Sequence, residues 1–439
     1  MDKRTKIIAT ISDKRCEVEF IRSLYEAGMN AVRINTAHVT TRSAATIVEN
    51  VRRVSEKIAI IIDTKGPEIR LTGMAAGFES GIPIEKGQLV RMKGTAEDRP
   101  SSDQTIYLND PTIYDAVPTG SIILIDDGEL ELQVVDKADN ELVCEVHNGG
   151  VIKPRKSVNL PGVPIDLPSV TDKDHEFINW AIDMDIDFIA HSFVRKKSDV
   201  LAVKKILKDR NSSIKIISKI ENSEGVDNID EILDETYGIM VARGDLGVEI
   251  PAERIPVTQR LLVKKCIESK KPVIIATQML HTMIEHPRPT RAEISDVANA
   301  IYQRVDAVML SGETANGLYP VEAVATMARV AREIENDEVN NGPNIDMNLV
   351  RINNEITAQL ARSAVRASIN LRVKAIVIDT LSGRTGRYVA AFRGQMPVYA
   401  VCYRKSTMRQ LALPSTVVLW AATAVLLAFA AAPYRAFQL

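Results

Sequence analysis

The chain has few of the sequence features of secreted, zinc-binding or nucleic-acid-binding proteins, since it has few cysteines and little net charge. Among its 439 residues are only four cysteines, Cys16, Cys144, Cys266 and Cys402, and no pair has CxxC spacing. This excludes the usual zinc motifs and argues against a disulfide framework, which fits a reducing cytoplasm. The first residues, MDKRTKIIAT, also lack the apolar segment of a signal peptide. We therefore expect a cytoplasmic protein.

Net charge of either sign is nearly absent as well. The 55 Lys and Arg residues balance 57 Asp and Glu residues, leaving a formal net charge of -2, and no basic block occurs. A nucleic-acid partner is therefore not expected, and a small substrate is favoured. No Walker or Rossmann fingerprint occurs either. The 45% hydrophobic content is that of an ordinary globular protein with room for two to four domains.

Eight short apolar runs alternate with amphipathic segments. The runs are rich in Ile, Val and Ala, as is typical of parallel strands covered on both faces. They end at Thr10, Asn35, Thr64, Ser192, Lys219, Ala242, Thr277 and Ser311. Helix start signals lie between them, such as a capping box from Thr290 to Glu293 and Pro320 in a first turn. Eight such units predict an α/β fold, a closed (β/α)8 TIM barrel.

A different pattern interrupts the barrel after its third run. From about Leu71 to Ile165 the sequence has short valine-rich runs separated by turn signals such as Asp127-Gly128. We interpret this stretch as an inserted, small β-barrel-like lid domain. The predicted domains are a barrel of residues 1–70 and 166–340, a lid of residues 71–165, and a C-terminal α/β domain of residues 341–439.

Polar residues follow seven of the runs, at the end where barrel enzymes carry their chemistry. A single one is more often a solvated side chain or a helix cap, but convergence over seven strands favours a site. Lys219 with Glu221 and Asp245 can hold a divalent metal and a phosphate together, because carboxylates suit Mg²⁺ and lysine suits the oxyanion. The set is Arg33, Asn35, Asp63, Thr64, Ser192, Lys219, Glu221, Arg243, Asp245, Thr277, Gln278, Ser311 and Glu313.

Seven ordered strings in the chain resemble those of the pyruvate kinase family. They are DTKGPEIR at 63–70, SVNLPG at 157–162, ISKIEN at 217–222, ARGDLG at 242–247, ATQML at 276–280, PRPTRAEISDVANA at 287–300 and MLSGETANGLYP at 309–320. The resemblance extends from Thr5 to about Leu413. It implies phosphoryl transfer from phosphoenolpyruvate to ADP, giving pyruvate and ATP, with Mg²⁺ or Mn²⁺ and with K⁺.

The resemblance also implies roles for the strand-end residues. Glu221 and Asp245 match the Mg²⁺ ligands, and Lys219 matches the lysine that stabilises charge on the moving phosphoryl group. Arg33 would hold that group with a planar fork that lysine cannot reproduce. The backbone of Gly244 would approach the substrate carboxylate at a helix start. The implied substrate-binding residues are Arg33, Lys219, Gly244, Asp245 and Thr277.

Further matches concern protonation of the enolate, the monovalent cation and the nucleotide. A relay of Thr277, Ser311 and Glu313 with water is implied for protonation. His191 is interpreted as a structural residue that packs next to Ser192. Asn35, Asp63 and Thr64 match the K⁺ site, where Ala37 replaces a serine and puts K⁺ affinity in question. Asn35, His38, Arg70 and Lys156 match nucleotide-binding positions, although Lys156 in KPRKS is equally typical of a solvated basic turn.

The third domain carries one candidate site and an unusual end. Thr380, Ser382, Gly383, Arg384 and Thr385 form a turn that suits a phosphate at a helix N-terminus and matches the family's effector loop, although an ordinary capped turn fits as well. From Gln410 to Tyr434 no residue is charged. We interpret residues 414–439 as a buried helix of a replaced or truncated terminus, or as a sequence alteration, in preference to a membrane segment. The homo-oligomer that the resemblance implies, a tetramer, is left open by this terminus.

Two other functions fit the same residues. A Mg²⁺-dependent barrel lyase of the aldolase type, acting on a pyruvate enolate, would share the carboxylate pair but would not need the lid or ADP. A catalytically silent, truncated form would bind ligand without turnover. ADP-dependent turnover separates the first hypothesis from both.

Overall fold

The amino-terminal part of the chain forms three strands of a barrel with helices outside. The computed structural model describes residues 3–340, 346–371 and 373–421. The third strand, with sequence AIIID, is buried along its whole length, because it packs on the barrel interior on one face and on helices on the other. The elements are β1 (Lys6–Thr10), α1 (Val18–Ala27), β2 (Ala31–Asn35), α2 (Thr41–Val54) and β3 (Ala59–Asp63).

An all-β domain with one short helix is inserted after β3. Its elements are β4 (Ile69–Arg70), β5 (Ile82–Ile84), β6 (Leu89–Gly94), β7 (Ile106–Leu108), α3 (Ile113–Ala116), β8 (Ile122–Ile125), β9 (Leu130–Ala138), β10 (Glu141–Val146), β11 (Gly150–Ile152) and β12 (Ser157–Asn159). Seven strands make one sheet in the order β4-β12-β8-β9-β10-β6-β7, and β11 pairs with β5. Alternating buried and exposed residues in β9 show that one sheet face covers a separate core.

The chain then returns to complete the barrel. The elements are α4 (Asp172–Asp183), β13 (Phe188–His191), α5 (Lys197–Asp209), β14 (Lys215–Ile220), α6 (Ser223–Asp227), α7 (Ile229–Glu235), β15 (Gly238–Ala242), α8 (Arg243–Glu249), α9 (Ile255–Glu268), β16 (Val273–Ala276), α10 (Arg291–Tyr302), β17 (Ala307–Leu310), α11 (Gly312–Ala315) and α12 (Pro320–Asn340). The strands close in the order β1-β17-β16-β15-β14-β13-β3-β2. The predicted barrel is confirmed, and each strand ends within one residue of its predicted end. The predicted capping box of Thr290 and Glu293 is also present.

The C-terminal domain is a small parallel sheet flanked by helices. Its elements are α13 (Ile356–Asn370), β18 (Ile376–Thr380), α14 (Arg384–Ala391), β19 (Val398–Cys402), α15 (Lys405–Gln410) and β20 (Val417–Ala421). The prediction of a helix after Leu413 is wrong for β20, because its β-branched start pairs in parallel with β19 and buries Val417. The rest of the uncharged tail, 422–439, lies outside the described residues. Within the described ranges, no helix has both the length and the apolar character needed to cross a membrane.

Two buried ion pairs attach the C-terminal domain to the amino-terminal end of the barrel strands. Arg409, 2% exposed, donates from Nε to Oδ1 of Asp187 over 2.6 Å, just before β13. Arg52 of α2 donates to the other oxygen of Asp187 over 3.0 Å. Arg393 pairs in the same way with the buried Asp306 before β17. Burial still holds the pKa of Asp187 above its ordinary value, against the effect of both arginines, so this carboxylate depends on its partners.

Removal of the Arg409 guanidinium tests this dependence. We expect Arg409→Met to lower the free energy of unfolding by about 3 kcal/mol or more, because the buried Asp187 loses one of its two counter-charges. Lys405→Met, on the same helix, removes a cation that is 72% exposed and 3.6 Å from Glu56. That control should cost less than about 1 kcal/mol. Urea unfolding of both variants measures the difference, and equal losses would contradict the assignment.

Candidate active site

A buried ammonium group lies at the centre of the carboxyl-terminal rim of the barrel. Nζ of Lys219 lies 2.7 Å from Oγ of Ser192, 2.8 Å from Oε1 of Glu221 and 3.1 Å from Oδ1 of Asp63. Burial disfavours its charge, but Asp63, Glu221 and Asp245 outweigh burial and hold the pKa of Lys219 above its ordinary value. The lysine is therefore a fixed cation that faces the rim.

Arg33 adds a second cation to this group. Its Nε donates to Oδ2 of Asp63 over 2.6 Å, and its NH1 donates to Oγ1 of Thr10 over 3.2 Å. Asp63 is 1% exposed. Burial acts to raise its pKa, but Arg33 and Lys219 hold the pKa below its ordinary value. The aspartate therefore stays ionised and holds both cations at the ends of β2 and β14.

Glu221 and Asp245 place carboxylate oxygens just past the ends of the neighbouring strands β14 and β15. Oε1 of Glu221 accepts from Lys219, and Oε2 accepts from the backbone N–H of Phe193 over 2.6 Å. Burial raises the pKa of Glu221 to about 7, Lys219 opposes this rise, and the charge of Asp245 reinforces it. A divalent cation would offset the cost of holding both carboxylates ionised, so the pair fits Mg²⁺.

Two carboxylates alone do not complete an Mg²⁺ coordination sphere. Across the part of the chain that the structure describes, no group of three or more His, Cys, Asp or Glu side chains is arranged to hold a metal. Mg²⁺ is commonly bound by one or two carboxylates, with waters and substrate oxygens as its other ligands. The pair therefore suits a metal shared with a substrate.

Thr277 and Gly244 bring the ends of β15 and β16 together. The N–H of Gly244 donates to Oγ1 of Thr277 over 2.8 Å, so the resemblance-based role of Gly244 in binding a carboxylate would require this bond to be exchanged. Thr277 and Gln278 both have positive φ, 67° and 54°. Such strain in consecutive non-glycine residues is typical of functional sites. Arg243 braces the same corner by donating to the Thr277 carbonyl over 2.7 Å.

Ser311 and Glu313 lie at the end of β17 but are engaged differently. Glu313, 1% exposed, accepts from the backbone N–H of Leu280 over 3.1 Å and from that of Ser311 over 2.8 Å. Its carboxylate thus ties two strand-end loops together. Oγ of Ser311 is buried and has no hydrogen-bond partner among the described residues. The Ser311 hydroxyl is therefore more available than the Glu313 carboxylate for contact with a ligand or water.

The predicted monovalent-cation residues lie side by side at the ends of β2 and β3. Asn35 pairs in register with Asp63, and Thr64 follows it. Oδ1 of Asn35 accepts from the N–H of Ala37 over 3.1 Å. The oxygens of these side chains suit a monovalent cation, and the methyl group of Ala37 adds no oxygen to the set.

A cavity between the lid and the barrel contains two of the four predicted nucleotide-binding residues. It has a volume of about 620 Å³, and its lining includes His38, Arg70, Lys65 and Arg155. Asn35 and Lys156 are not part of this lining. Lys156 instead pairs with Asp126 of the lid over 2.8 Å. The cations of this wall suit a polyphosphate, but the lining also contains Glu97 and Asp98, and Arg155 is paired with Asp98 over 3.0 Å. Lys156 would have to leave its partner to take part.

The predicted effector turn has the expected strand-turn-helix geometry. Thr380 ends β18 and accepts at Oγ1 from the N–H of Gly383 over 2.9 Å. Gly383 has a φ of 79° and precedes α14, which begins at Arg384. Ser382 is exposed and Thr385 is half-buried. Effector binding at this turn stays a prediction.

The end of β13 contains the residues that the sequence patterns missed. Ser192 was recognised only as a polar strand end, and its contact with Lys219 was not foreseen; the string HSFVR gives no signal for it. Thr10, which ends β1 and accepts from Arg33, is a similar case. His191, which precedes Ser192, is 1% exposed, and burial lowers its pKa to about 4. Its ring is therefore neutral near pH 7, as suits a structural residue.

Comparison with known proteins identifies the family. A model described as pyruvate kinase, barrel domain, matches residues 2–324, and one described as pyruvate kinase, alpha/beta domain, matches residues 358–427. The chain belongs to the pyruvate kinase family. It is therefore a glycolytic enzyme, and family membership favours the kinase over the lyase. The second match also runs past Leu413, so the expectation that the resemblance ends there is wrong.

Individual relatives agree with the family models. A pyruvate kinase of Borreliella burgdorferi is 47% identical over 422 residues, covering 94% of this chain and 85% of the relative. One of Geobacillus stearothermophilus is 46% identical over 421 residues, covering 94% of this chain and 70% of the relative. A crystal structure of a pyruvate kinase from Cryptosporidium parvum superposes with a TM-score of 0.89 at 37% identity, covering 95% of this chain and 87% of that one.

The contribution of the Thr277 hydroxyl to activity can be tested by one replacement that removes the hydroxyl and one that keeps it. We expect Thr277→Val to lower kcat/KM about tenfold, because the hydroxyl acceptor that orients the Gly244 backbone before the substrate binds is lost. Thr277→Ser keeps that acceptor and should retain most activity. Thr326→Val, which removes a buried hydroxyl from α12, is the control. Steady-state kinetics of the three variants measure the effect, and equal losses in the Val and Ser variants would contradict it.

Proposed function

We propose that this chain transfers the phosphoryl group of phosphoenolpyruvate to ADP, giving pyruvate and ATP. The observation that carries the proposal is the buried Lys219 ammonium held between Asp63 and Glu221 at the barrel rim. Phosphoryl transfer needs a fixed positive charge where negative charge develops, and little covalent chemistry from the protein. The family of the chain supports the same reaction.

Lys219 and Arg33 act on the phosphoryl group. Both side chains are anchored on Asp63, so they are oriented before the substrate arrives and need little rearrangement during the reaction. The planar guanidinium of Arg33 can bind two phosphoryl oxygens, while Lys219 supplies a compact charge. Together the two cations stabilise the negative charge that develops on the phosphoryl group during transfer.

Glu221 and Asp245 would bind Mg²⁺ or Mn²⁺, and Asn35, Asp63 and Thr64 would bind K⁺. The divalent ion would supply Lewis-acid stabilisation of the substrate oxygens. Thr277 and the backbone of Gly244 would orient the enolpyruvate carboxylate at the start of α8, and Asp245 would contact the substrate through the divalent ion. These assignments rest on the donor atoms of the residues and on the family resemblance.

Protonation of the enolate carbon completes the reaction. Oγ of Ser311 is the candidate contact for a water that carries this proton, since this hydroxyl is buried and has no partner among the described residues. Thr277 flanks the other side of the substrate position. Glu313 holds the loops of both residues through the backbone N–H groups of Leu280 and Ser311.

The nucleotide would occupy the basic cavity between the lid and the barrel. His38 and Arg70 line this cavity, and closure of the lid over it would exclude water from the transfer. Asn35 borders the same side of the rim. Lys156 would join the phosphates only after leaving Asp126.

Replacement of Lys219 tests the proposed transfer. We expect the purified chain to form pyruvate from phosphoenolpyruvate and Mg²⁺ only when ADP is present. Lys219→Ala should reduce kcat on the order of a hundredfold or more, because the transition state loses its fixed charge. Lys205→Ala, which removes an exposed lysine of α5, is the control. Pyruvate formation without ADP, or full activity of Lys219→Ala, would contradict the proposal.

Ala37 allows a test of the monovalent-cation site. Ala37→Ser adds a hydroxyl oxygen beside Asn35, so we expect half-maximal activation at a several-fold lower K⁺ concentration. Activity is titrated with K⁺ at constant ionic strength, with Na⁺ as the replacement ion. Ala202→Ser, in α5, is the control. An unchanged K⁺ response in Ala37→Ser would argue against a cation at these residues.

A further inference from the structure

Ser192 occupies a position that the proposed mechanism does not use. It follows β13, is 1% exposed, and lies between the ends of β3 and β14. Its Oγ lies 2.7 Å from Nζ of Lys219, 2.7 Å from the carbonyl oxygen of Thr64 and 3.3 Å from Oδ1 of Asp63. A buried hydroxyl with these three neighbours is held in one orientation.

The proton positions in this group follow from the chemistry of the partners. A lysine ammonium can only donate, and a carbonyl oxygen can only accept. The single hydroxyl proton of Ser192 therefore points to Thr64, whose carbonyl is the closer of its two acceptors, and a lone pair faces Lys219. The serine acts as a directed acceptor that the Thr64 backbone orients.

The three N–H donors of Lys219 are all occupied in this arrangement. They serve Ser192, Glu221 and Asp63 at 2.7, 2.8 and 3.1 Å. Two of these acceptors are carboxylates, whose charge makes their hydrogen bonds the stronger ones. The neutral hydroxyl is the third acceptor, and it completes the set that fixes the direction of the ammonium group.

The backbone around Ser192 is built tightly enough to hold this geometry. Phe193, the next residue, has a φ of 54° and donates its N–H to Oε2 of Glu221 over 2.6 Å. A Cβ added at Gly66 would come within 2.8 Å of Cβ of Ser192 and of the Phe193 ring. A strained residue and a glycine packed against it show that this segment is closely confined.

We infer that Ser192 is a positioning residue, whose hydroxyl directs the Lys219 ammonium to the phosphoryl site. The inference rests on the proposed function, since it acts only through Lys219. It concerns the orientation of the lysine and leaves the enolpyruvate end of the substrate untouched. Loss of the hydroxyl should therefore lower kcat more than it raises KM.

A double-mutant cycle tests the inference. We expect Ser192→Ala to lower kcat about tenfold or more, with the KM for phosphoenolpyruvate within about threefold of wild type. In the Lys219→Ala background, the same substitution should have little further effect, because the group that it orients is gone. Equal losses in both backgrounds would overturn the inference and leave Ser192 with a structural role only.

The controls separate this outcome from a failure of folding or of the proposed function. Ser368→Ala removes another buried hydroxyl, one that donates to the Val365 carbonyl over 2.7 Å in α13, and should leave kcat unchanged. If Ser192→Ala melts far below wild type, Ser192→Cys, whose somewhat larger side chain leaves no cavity and accepts only weakly, takes its place in the cycle. Absence of ADP-dependent turnover in wild type would overturn the proposed function itself. Normal wild-type turnover with full activity in Ser192→Ala would overturn only the role of Ser192.

Discussion

The site depends on keeping one ammonium group charged inside a barrel rim that excludes most water. An isolated buried charge is costly, so Lys219 can occupy this position only with Asp63 and Glu221 beside it. Asp63 in turn binds Arg33, and Glu221 is held by the backbone of Phe193. The ends of β2, β3, β13 and β14 therefore form a single electrostatic unit, and loss of any member leaves another charge uncompensated.

Much of this arrangement could be predicted because it follows from local patterns. Uniform β-branched runs mark strands buried on both faces, and a closed parallel barrel brings their polar ends to one rim. Lys219, Glu221 and Asp245 could therefore be grouped from the sequence, whereas the ion pair of Lys219 with Asp63 could not be predicted, because the only role assigned to Asp63 from the sequence is in the monovalent-cation site. The hydroxyl of Ser192 could not, because its meaning depends on which lysine faces it across a neighbouring strand, and no spacing along the chain encodes that contact.

Two other features could not be predicted from sequence patterns, the structure of the segment after Leu413 and the pairing of the lid cations. The uncharged stretch after Leu413 has neither helical nor alternating periodicity, so its sequence does not distinguish a helix from a strand. Pairing with β19 determines the structure of β20. The basic residues of the lid present the opposite difficulty. Lys156 is paired with Asp126, and Arg70 with Glu68, at 2.8 Å each. The positive charges alone predict an anion site. The ion pairs with Asp126 and Glu68 determine which of these cations can bind an anion.

The ion pairs under the barrel have a consequence for how the chain is made. The last barrel strand ends at Leu310, yet the counter-charge of Asp306 and one of the two counter-charges of Asp187 come from Arg393 and Arg409. As the chain leaves the ribosome, the eight strands are therefore present before these two arginines. Until they have emerged, Asp306 lacks its arginine and Asp187 has only Arg52, so final consolidation of the barrel must wait for the C-terminal domain.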